Sequence, residues 1–263
     1  MRVVDLDRDM SDVIPTGTTI DSQHLFDEMT ARTLDALAPG PGRRILDVAS
    51  GFGQDARALA ARGARVVGAE PSRRMLGWAR LTDEKADPNA RPRWVQAWGH
   101  RLPFADESFD AVVCKGALDH FDAPEAAIGE MARVCRRRGR VVLAIANFES
   151  LACRAARAAD AWREEGRGAA PRRGRRHYDV PGDHFTRYDL ALMQEQAERW
   201  LTLERVEGVS LGWGLPGWTR LVQRLPPELA RRVLRALEGL ARRAPGWSDV
   251  VVLTGRPRPR PEP

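Results

Sequence analysis

Between Arg44 and Ala146 the chain alternates short apolar runs with amphipathic stretches, and this rhythm limits its possible folds more than any other feature. The runs at 44–49, 65–70, 93–97, 109–114 and 139–146 are apolar at consecutive positions rather than alternate ones. Strands of that kind are buried on both faces, as in a parallel sheet with helices on each side. The intervening stretches 55–62, 72–85 and 124–136 carry helical periodicity, with Ser72 placed to cap the second and Pro124 opening the third. The expected class is therefore α/β.

The flanks read differently. Residues 22–37 place Leu25, Phe26, Met29, Leu34 and Leu37 at helical spacing, and Pro39, Gly40, Pro41 and Gly42 end that helix. After Asn147 come an Ala/Arg-rich helix over 151–169, a basic Gly/Pro loop to about 182, and a helix over 188–200 that Thr186 would cap. A strand over 200–211, a Gly/Trp/Pro segment at 212–218, a helix over 228–243 and a strand at 250–254 complete the pattern. Leu229, Val233, Leu234, Leu237 and Leu240 share a stripe on that last helix, expected to pack over the sheet in preference to lying on a membrane. The Pro-rich residues 257–263 have nothing to bury and are expected to be a disordered tail.

Composition narrows the function classes. A chain of 263 residues with 43% hydrophobic content builds a globular core rather than remaining disordered. No apolar run approaches the roughly 20 residues of a membrane-spanning helix, and the charged residues among the first ten argue against a secretory leader there. Cys114, Cys135 and Cys153 are odd in number and lack CxxC spacing, so a reducing compartment, the cytoplasm, is expected, without a disulfide framework or structural zinc. Lysine occurs only at 85 and 115, so the other 40 of the 42 basic residues are arginines. That bias points to base composition of the coding sequence as the origin of the +6 charge. The clusters Arg136–Arg138 and Arg172, Arg173, Arg175, Arg176 carry no interleaved aromatics for stacking, so no nucleic-acid partner is expected.

The stretch 45–55, ILDVASGFGQD, carries the chemistry. A strand ending in Asp47 runs into a turn with Gly51 and Gly53 ahead of a helix, where backbone can approach a ligand closely and N–H groups are free. Glu70, which ends the next strand 19 residues after Gly51 (70 − 51), is placed to accept both hydroxyls of a ribose. The spacing Gly51-x-Gly53-x-x-Ala56 also satisfies a dinucleotide fingerprint, so an NAD-linked oxidoreductase is the alternative reading. Against it, Asp47 would repel a pyrophosphate but suit an ammonium.

Four blocks in sequence order then resemble the class I S-adenosylmethionine (SAM)-dependent methyltransferases, in the small-molecule branch of ubiquinone and menaquinone methyltransferases. They are 45–55, 67–80 (VGAEPSRRMLGWAR), 102–113 (LPFADESFDAVV) followed by Ala117-Leu118-Asp119-His120, and 130–143 (EMARVCRRRGRVVL). The resemblance implies a Rossmann-like, doubly wound, seven-stranded sheet, mostly parallel with an antiparallel last strand. Helices would cover both faces, with an N-terminal helical cap at 1–42 and an insertion between the last two strands. Residues 43–256 would be the SAM-binding domain, with insertions 151–183 and 212–248 forming the substrate side.

Carried over by position, the loop with Ala49, Gly51 and Gly53 would wrap the methionine half of SAM, with Asp47 at its amino group and Glu70 at the ribose. Pro71 and Met75 would flank the adenine, Trp98 and Gly99 would reach its edge, and Lys115 would supply backbone beneath the cofactor. Two positions depart from the family: Ala49 replaces a glycine, and Trp98 stands where an acidic residue usually accepts the adenine amino group, which an indole cannot do.

The implied activity is methyl transfer to a small molecule, with oxygen favoured over nitrogen or carbon because His120 could act as a base. The plainer role for His120 is packing or capping. His24, Tyr178, His184 and Trp213 are candidates to line the acceptor pocket. The set His177, Asp179, Asp183 and His184 could suggest metal ligands, but reads as a lid, and no metal is expected. Cys114, within a strand, reads as core rather than nucleophile. A non-catalytic, nucleic-acid-associated protein is the remaining alternative. Against base-amino methylation, the segment after the fourth strand, Lys115–Leu118, lacks an Asn/Asp-Pro-Pro-aromatic tetrapeptide.

Overall fold

A computed structural model describes residues 18–83, 91–167, 176, 178–180, 182 and 184–259. One sheet contains β1 (Arg44–Val48), β2 (Arg65–Ala69), β3 (Arg93–Val95), β4 (Phe109–Lys115), β5 (Cys135–Ala146), β6 (Leu201–Val209) and β7 (Val250–Pro257). Their order is β3-β2-β1-β4-β5-β7-β6. The first five are mutually parallel, and β7 lies antiparallel between β5 and β6. The expected Rossmann-like sheet is present. The strand order reverses between β1 and β4, and the crevice outside their carboxyl ends is where such sheets hold ligands.

Consecutive strand residues are apolar because each face has its own core. Val112, Val141 and Leu143 pack with Ile128, Met131 and Met193. Val113, Val142 and Ala144 face the opposite core with Leu25, Met29, Ala56 and Leu59. The second core is roofed by α1 (Ile20–Ala36) and α2 (Gln54–Ala61), the first by α4 (Pro124–Val134) and α6 (Leu190–Glu198). The remaining helices are α3 (Arg73–Asp83), α5 (Leu151–Arg167), α7 (Trp218–Arg224) and α8 (Pro227–Arg243), the last two inserted between β6 and β7. Among the described residues no helix is long and apolar enough to cross a membrane.

Local chemistry sets the helix ends. Thr19 and Ser22 form a reciprocal capping box at the start of α1. Ser72 accepts the Met75 N–H at 3.2 Å, as its cap position requires. Thr186 does not cap α6; Asp189 does, its Oδ1 accepting the Leu192 N–H at 2.8 Å, because the helix starts two residues later than the apolar pattern indicates. α4 stops at Val134 rather than 136, since Cys135 is already extended (ψ 137°) and begins β5. The arginines that follow it sit exposed beside a register shift between β4 and β5.

The apolar stripe of α8 is also turned from its expected phase. Ala230, Leu234, Glu238 and Ala241 face inward, whereas Leu229 and Leu240 are exposed. A buried glutamate, held by partners described below, fixes that rotation. α7 was not legible as a helix; it opens on Trp218 after Gly217 turns the chain at φ 81°. At the other terminus, β7 extends to Pro257 and the Arg258 N–H donates to the Trp200 carbonyl, so ordered backbone reaches into the expected tail. The basic residues Arg172, Arg173 and Arg175 lie outside the described residues.

Candidate active site

The loop after β1 takes backbone values that glycine favours. Ala49 has φ 58°, Gly51 54° and Gly53 86°, and Gly53 is the N-cap of α2 without a side chain to cap it. A Cβ at Gly53 would overlap the ring of Trp94, which also covers Gly68 on β2. Trp94 Nε1 donates to Asp83 Oδ2 at 2.7 Å, fixing the indole as a wedge between the loop, β2 and α3. The sequence marked Trp94 only as part of a short strand.

Two carboxylates flank this loop. Glu70 is buried, and its two oxygens accept the N–H groups of Gly51 at 2.9 Å and Ser72 at 3.0 Å. Burial pushes its carboxyl above the usual range, against those two hydrogen bonds. Each oxygen retains a lone pair for a further donor. Asp47 is buried beside it and accepts the Ala56 N–H, while its Oδ2 has no hydrogen-bond partner. Burial drives the Asp47 carboxyl well up, the Asp55 and Glu70 charges add to this, and Lys115 opposes it. A buried carboxyl with an unused oxygen beside a glycine loop is suited to a cation, whose charge favours the ionised form that burial alone opposes.

The other cofactor candidates separate into two groups. Met75 is buried, and its methyl lies 3.6 Å from where a Gly51 Cβ would stand. Pro71 follows Glu70, its carbonyl accepting from Gln96 Nε2 at 2.9 Å. Trp98 is 52% exposed on a turn closed by the Arg101 N–H, its ring 6.1 Å from that of His100. Gly99 is pressed against Phe121, where a Cβ would come within 2.6 Å of the ring. The Lys115 side chain, which the sequence left unassigned, bonds Thr30 Oγ1 at 2.7 Å and Asp55 Oδ1 at 2.9 Å, tying β4 to α1 and α2.

On the far side of the β4 end, Leu118–His120 form a 3-10 turn. His120 meets His184 edge to face, ring centroids 4.0 Å apart, and His184 Nδ1 lies 2.9 Å from Asp119 Oδ2. The Phe185 and Thr186 N–H groups donate to the Asp119 carbonyl, so the loop carrying His184 is anchored to the turn carrying His120. Burial works to raise the Asp119 carboxyl, but its contact with His184 and the charge of His120 outweigh that and hold it below its usual range. The sequence singled out both histidines and passed over Asp119, although it adjoins His120. Of the other suggested ligands, His177 and Asp183 lie outside the described residues. Asp179 accepts the Arg176 N–H at 2.7 Å instead of approaching the histidines.

The remaining acceptor candidates lie elsewhere. Tyr178 is buried against Cys153 and Ala156, and its hydroxyl donates to Asp160 of α5 at 3.1 Å. Trp213 stacks edge-on against Phe26 at 6.5 Å, and its backbone N–H donates to Asp249 Oδ2 at 3.0 Å. His24 Nε2 stands 3.7 Å from Glu238 of α8, which also pairs with Arg32 at 2.9 Å and accepts the Ser210 N–H at 2.8 Å. His24 and Trp213 thus belong to the end of β6 and β7. Cys114 is fully buried, and burial raises its thiol far above the range of a nucleophile.

Comparison with known proteins agrees with this geometry. The profile of a methyltransferase domain family matches residues 46–143. The demethylmenaquinone methyltransferase of Clavibacter sepedonicus is 42% identical over 113 residues, covering 42% of this chain and 44% of that protein. Its Corynebacterium urealyticum counterpart is 35% identical over 139 residues, covering 53% and 55%. The chain thus spans about half the length of the curated relatives it matches. Among solved structures, a methyltransferase in complex with the Haloferax volcanii Trm112 activator has a TM-score of 0.60 at 18% identity, covering 92% of both chains. The [4+2]-cyclase SpnF has a TM-score of 0.57 at 21% identity, covering 88% of this chain and 80% of its own. A Corynebacterium glutamicum TehB-like SAM-dependent methyltransferase has a TM-score of 0.51 at 18% identity, covering 88% of both. With its glycine loop and paired carboxylates at the switch point of a 3-2-1-4-5-7-6 sheet, the chain has the fold of these solved methyltransferase structures, and its residues 46–143 match the methyltransferase domain profile.

Proposed function

We propose that the protein transfers the methyl group of SAM to a small-molecule acceptor, with oxygen favoured as the acceptor atom. The observation that carries this reading is the pair Asp47 and Glu70. One is a buried carboxylate with an unused oxygen, the other a carboxylate bound to the loop backbone, and together they flank Gly51. Asp47 would take the amino group of SAM, the turn of Ala49, Gly51 and Gly53 its carboxylate end, and Glu70 the ribose hydroxyls. Pro71 and Met75 would flank the adenine, with Gly99 and the Trp98 backbone at its edge and the Lys115 backbone below. The same buried carboxyl at Asp47, which a cation would ionise and a phosphate would not, weighs against a dinucleotide pyrophosphate, and so against the oxidoreductase reading.

SAM supplies an activated methyl group on a sulfonium. The protein's own part is chiefly alignment, since holding two reactants in line replaces a bimolecular encounter by an intramolecular one. His120, on the turn beyond β4, is the group assigned to the acceptor side, where a neutral imidazole can take the proton of a hydroxyl. The match to the methyltransferase profile ends at residue 143, ahead of the insertions, so the acceptor of the menaquinone-type relatives is not carried over with it.

Calorimetry with S-adenosylhomocysteine tests the cofactor assignment. Glu70→Ala is expected to weaken binding at least tenfold, and a folded variant with unchanged affinity overturns it. Incubation with methyl-labelled SAM and fractionated host metabolites then identifies the acceptor.

A further inference from the structure

Asp119, His120 and His184 bring one carboxylate and two imidazoles together, with their candidate ligand atoms all within 4.8 Å of one another. Three features set this group apart from an ordinary ion pair. Asp119 Oδ1 is buried and has no hydrogen-bond partner, although only 4% of its side chain is exposed. His184 Nδ1 is also buried and, although 2.9 Å from Asp119 Oδ2, is not aligned with it as a hydrogen bond. The rings of His120 and His184 are held in contact by a loop whose Phe185 and Thr186 N–H groups grip the Asp119 carbonyl. Unused buried acceptors call for a partner, and an ion satisfies a carboxylate and two imidazoles at once.

We propose that Asp119, His120 and His184 form a binding site for a divalent transition-metal ion of the zinc class, at the acceptor end of the crevice. Two imidazoles and one carboxylate suit borderline ions rather than calcium or magnesium, and leave coordination positions open. Ligand atoms about 3.3 Å apart surround a four-coordinate zinc. The 2.9 Å approach of Asp119 and His184 is already close to that spacing, so His120 is the side chain that must close in. The Phe148 ring, centred 5.8 Å from that of His184, covers one side with apolar surface.

The inference rests on the methyl-transfer reading for its chemistry and names an acceptor class, a hydroxyl or enol. With the ion in place His120 serves as a ligand, and the acceptor proton leaves to solvent instead of to the imidazole. The acceptor oxygen then forms the new O–CH3 bond as the S–CH3 bond breaks, its electron pair passing to sulfur to give the neutral thioether.

The test is calorimetric titration of chelator-treated protein with zinc chloride, and with cobalt chloride followed by its visible absorption. One ion per chain is expected, with cobalt bands of low coordination number. Asp119→Asn and His184→Ala should each weaken zinc binding at least tenfold, whereas His100→Ala should not. Binding of S-adenosylhomocysteine by the same variants verifies that they are folded. Absence of zinc binding, or equal binding by the variants, overturns the metal site while leaving the methyl-transfer reading intact. Failure to bind S-adenosylhomocysteine with zinc binding retained overturns the methyl-transfer reading alone.

Discussion

Two buried acid pairs stand at the carboxyl edge of one sheet, Asp47 with Glu70 and Glu238 with Asp249, and they are kept there by different means. The first flanks a glycine loop and its countercharge Lys115 is shared with Asp55; Asp47 Oδ2 has no hydrogen-bond partner, and neither have Glu238 Oε1 and Asp249 Oδ1 of the second pair, so the contrast lies in what surrounds each. The second is wrapped by its own surroundings. Glu238 takes Arg32 and the Ser210 N–H, and Asp249 takes the Ser210 hydroxyl at 2.9 Å and the Trp213 N–H. The difference separates the proposed ligand site from a clamp. Among the described residues Glu70 is held by the loop backbone at Gly51 and Ser72 alone, whereas Glu238 and Asp249 join Arg32, the Ser210 hydroxyl and the backbone of the 210–213 turn, and so fasten α8 and that turn to the sheet.

The largest effect that could break this contrast is on cofactor affinity. Asp47→Asn is expected to lose at least tenfold in S-adenosylhomocysteine binding by calorimetry, because a neutral amide no longer balances an ammonium. Asp249→Asn should leave that affinity within twofold. Equal losses would erase the distinction.

Next in size is a steric test at the loop. Gly53→Ala combines an unfavourable positive φ with a clash against Trp94, and should cost about 2–4 kcal/mol in denaturant unfolding. A cost near zero would show that the indole is not a wedge.

The pH dependence of the clamp is the third measurement. Burial and the nearby Glu238 charge push the Asp249 carboxyl up to about 7, against the bonds from Trp213, Ser210 and Gly212. The folded chain therefore holds a proton that the unfolded chain, near its ordinary value of about 4, releases. The contribution is full below about pH 4 and is lost as pH rises towards 7. Between pH 5 and pH 8 the Tm of the native chain should fall by about 5–10 °C more than that of Asp249→Asn. The smallest expected effect is at Ala49, whose φ of 58° favours glycine. Ala49→Gly should gain up to about 1 kcal/mol without changing the cofactor site.

The same division explains what the sequence could convey. The strands, the loop at 49–53 and the acids at 47 and 70 were legible because each follows from local pattern, namely runs of apolar residues, glycines at a turn and an acid at a strand end. The clamp was not. Glu238 sits on a helix whose leucines suggest another inward face, and only its pairing with Arg32 and the Ser210 N–H shows why the helix turns. The trio at 119, 120 and 184 was half visible, since two histidines stand out in a chain with five, but their meeting depends on a loop folding back over a turn. Trp94 escaped for the same reason, because nothing in a short strand announces that two glycines make room for its ring.

Glu70 holds the N–H of Gly51 and the N–H of Ser72 at the same time. A loop so fastened does not have to find its shape during an encounter. Association at this end of the crevice should therefore be governed by diffusion and orientation, with a rate that, once corrected for solvent viscosity, changes little with temperature. The carboxylate proposed for the ribose is also the latch that sets the loop, so its two duties share one fate under mutation.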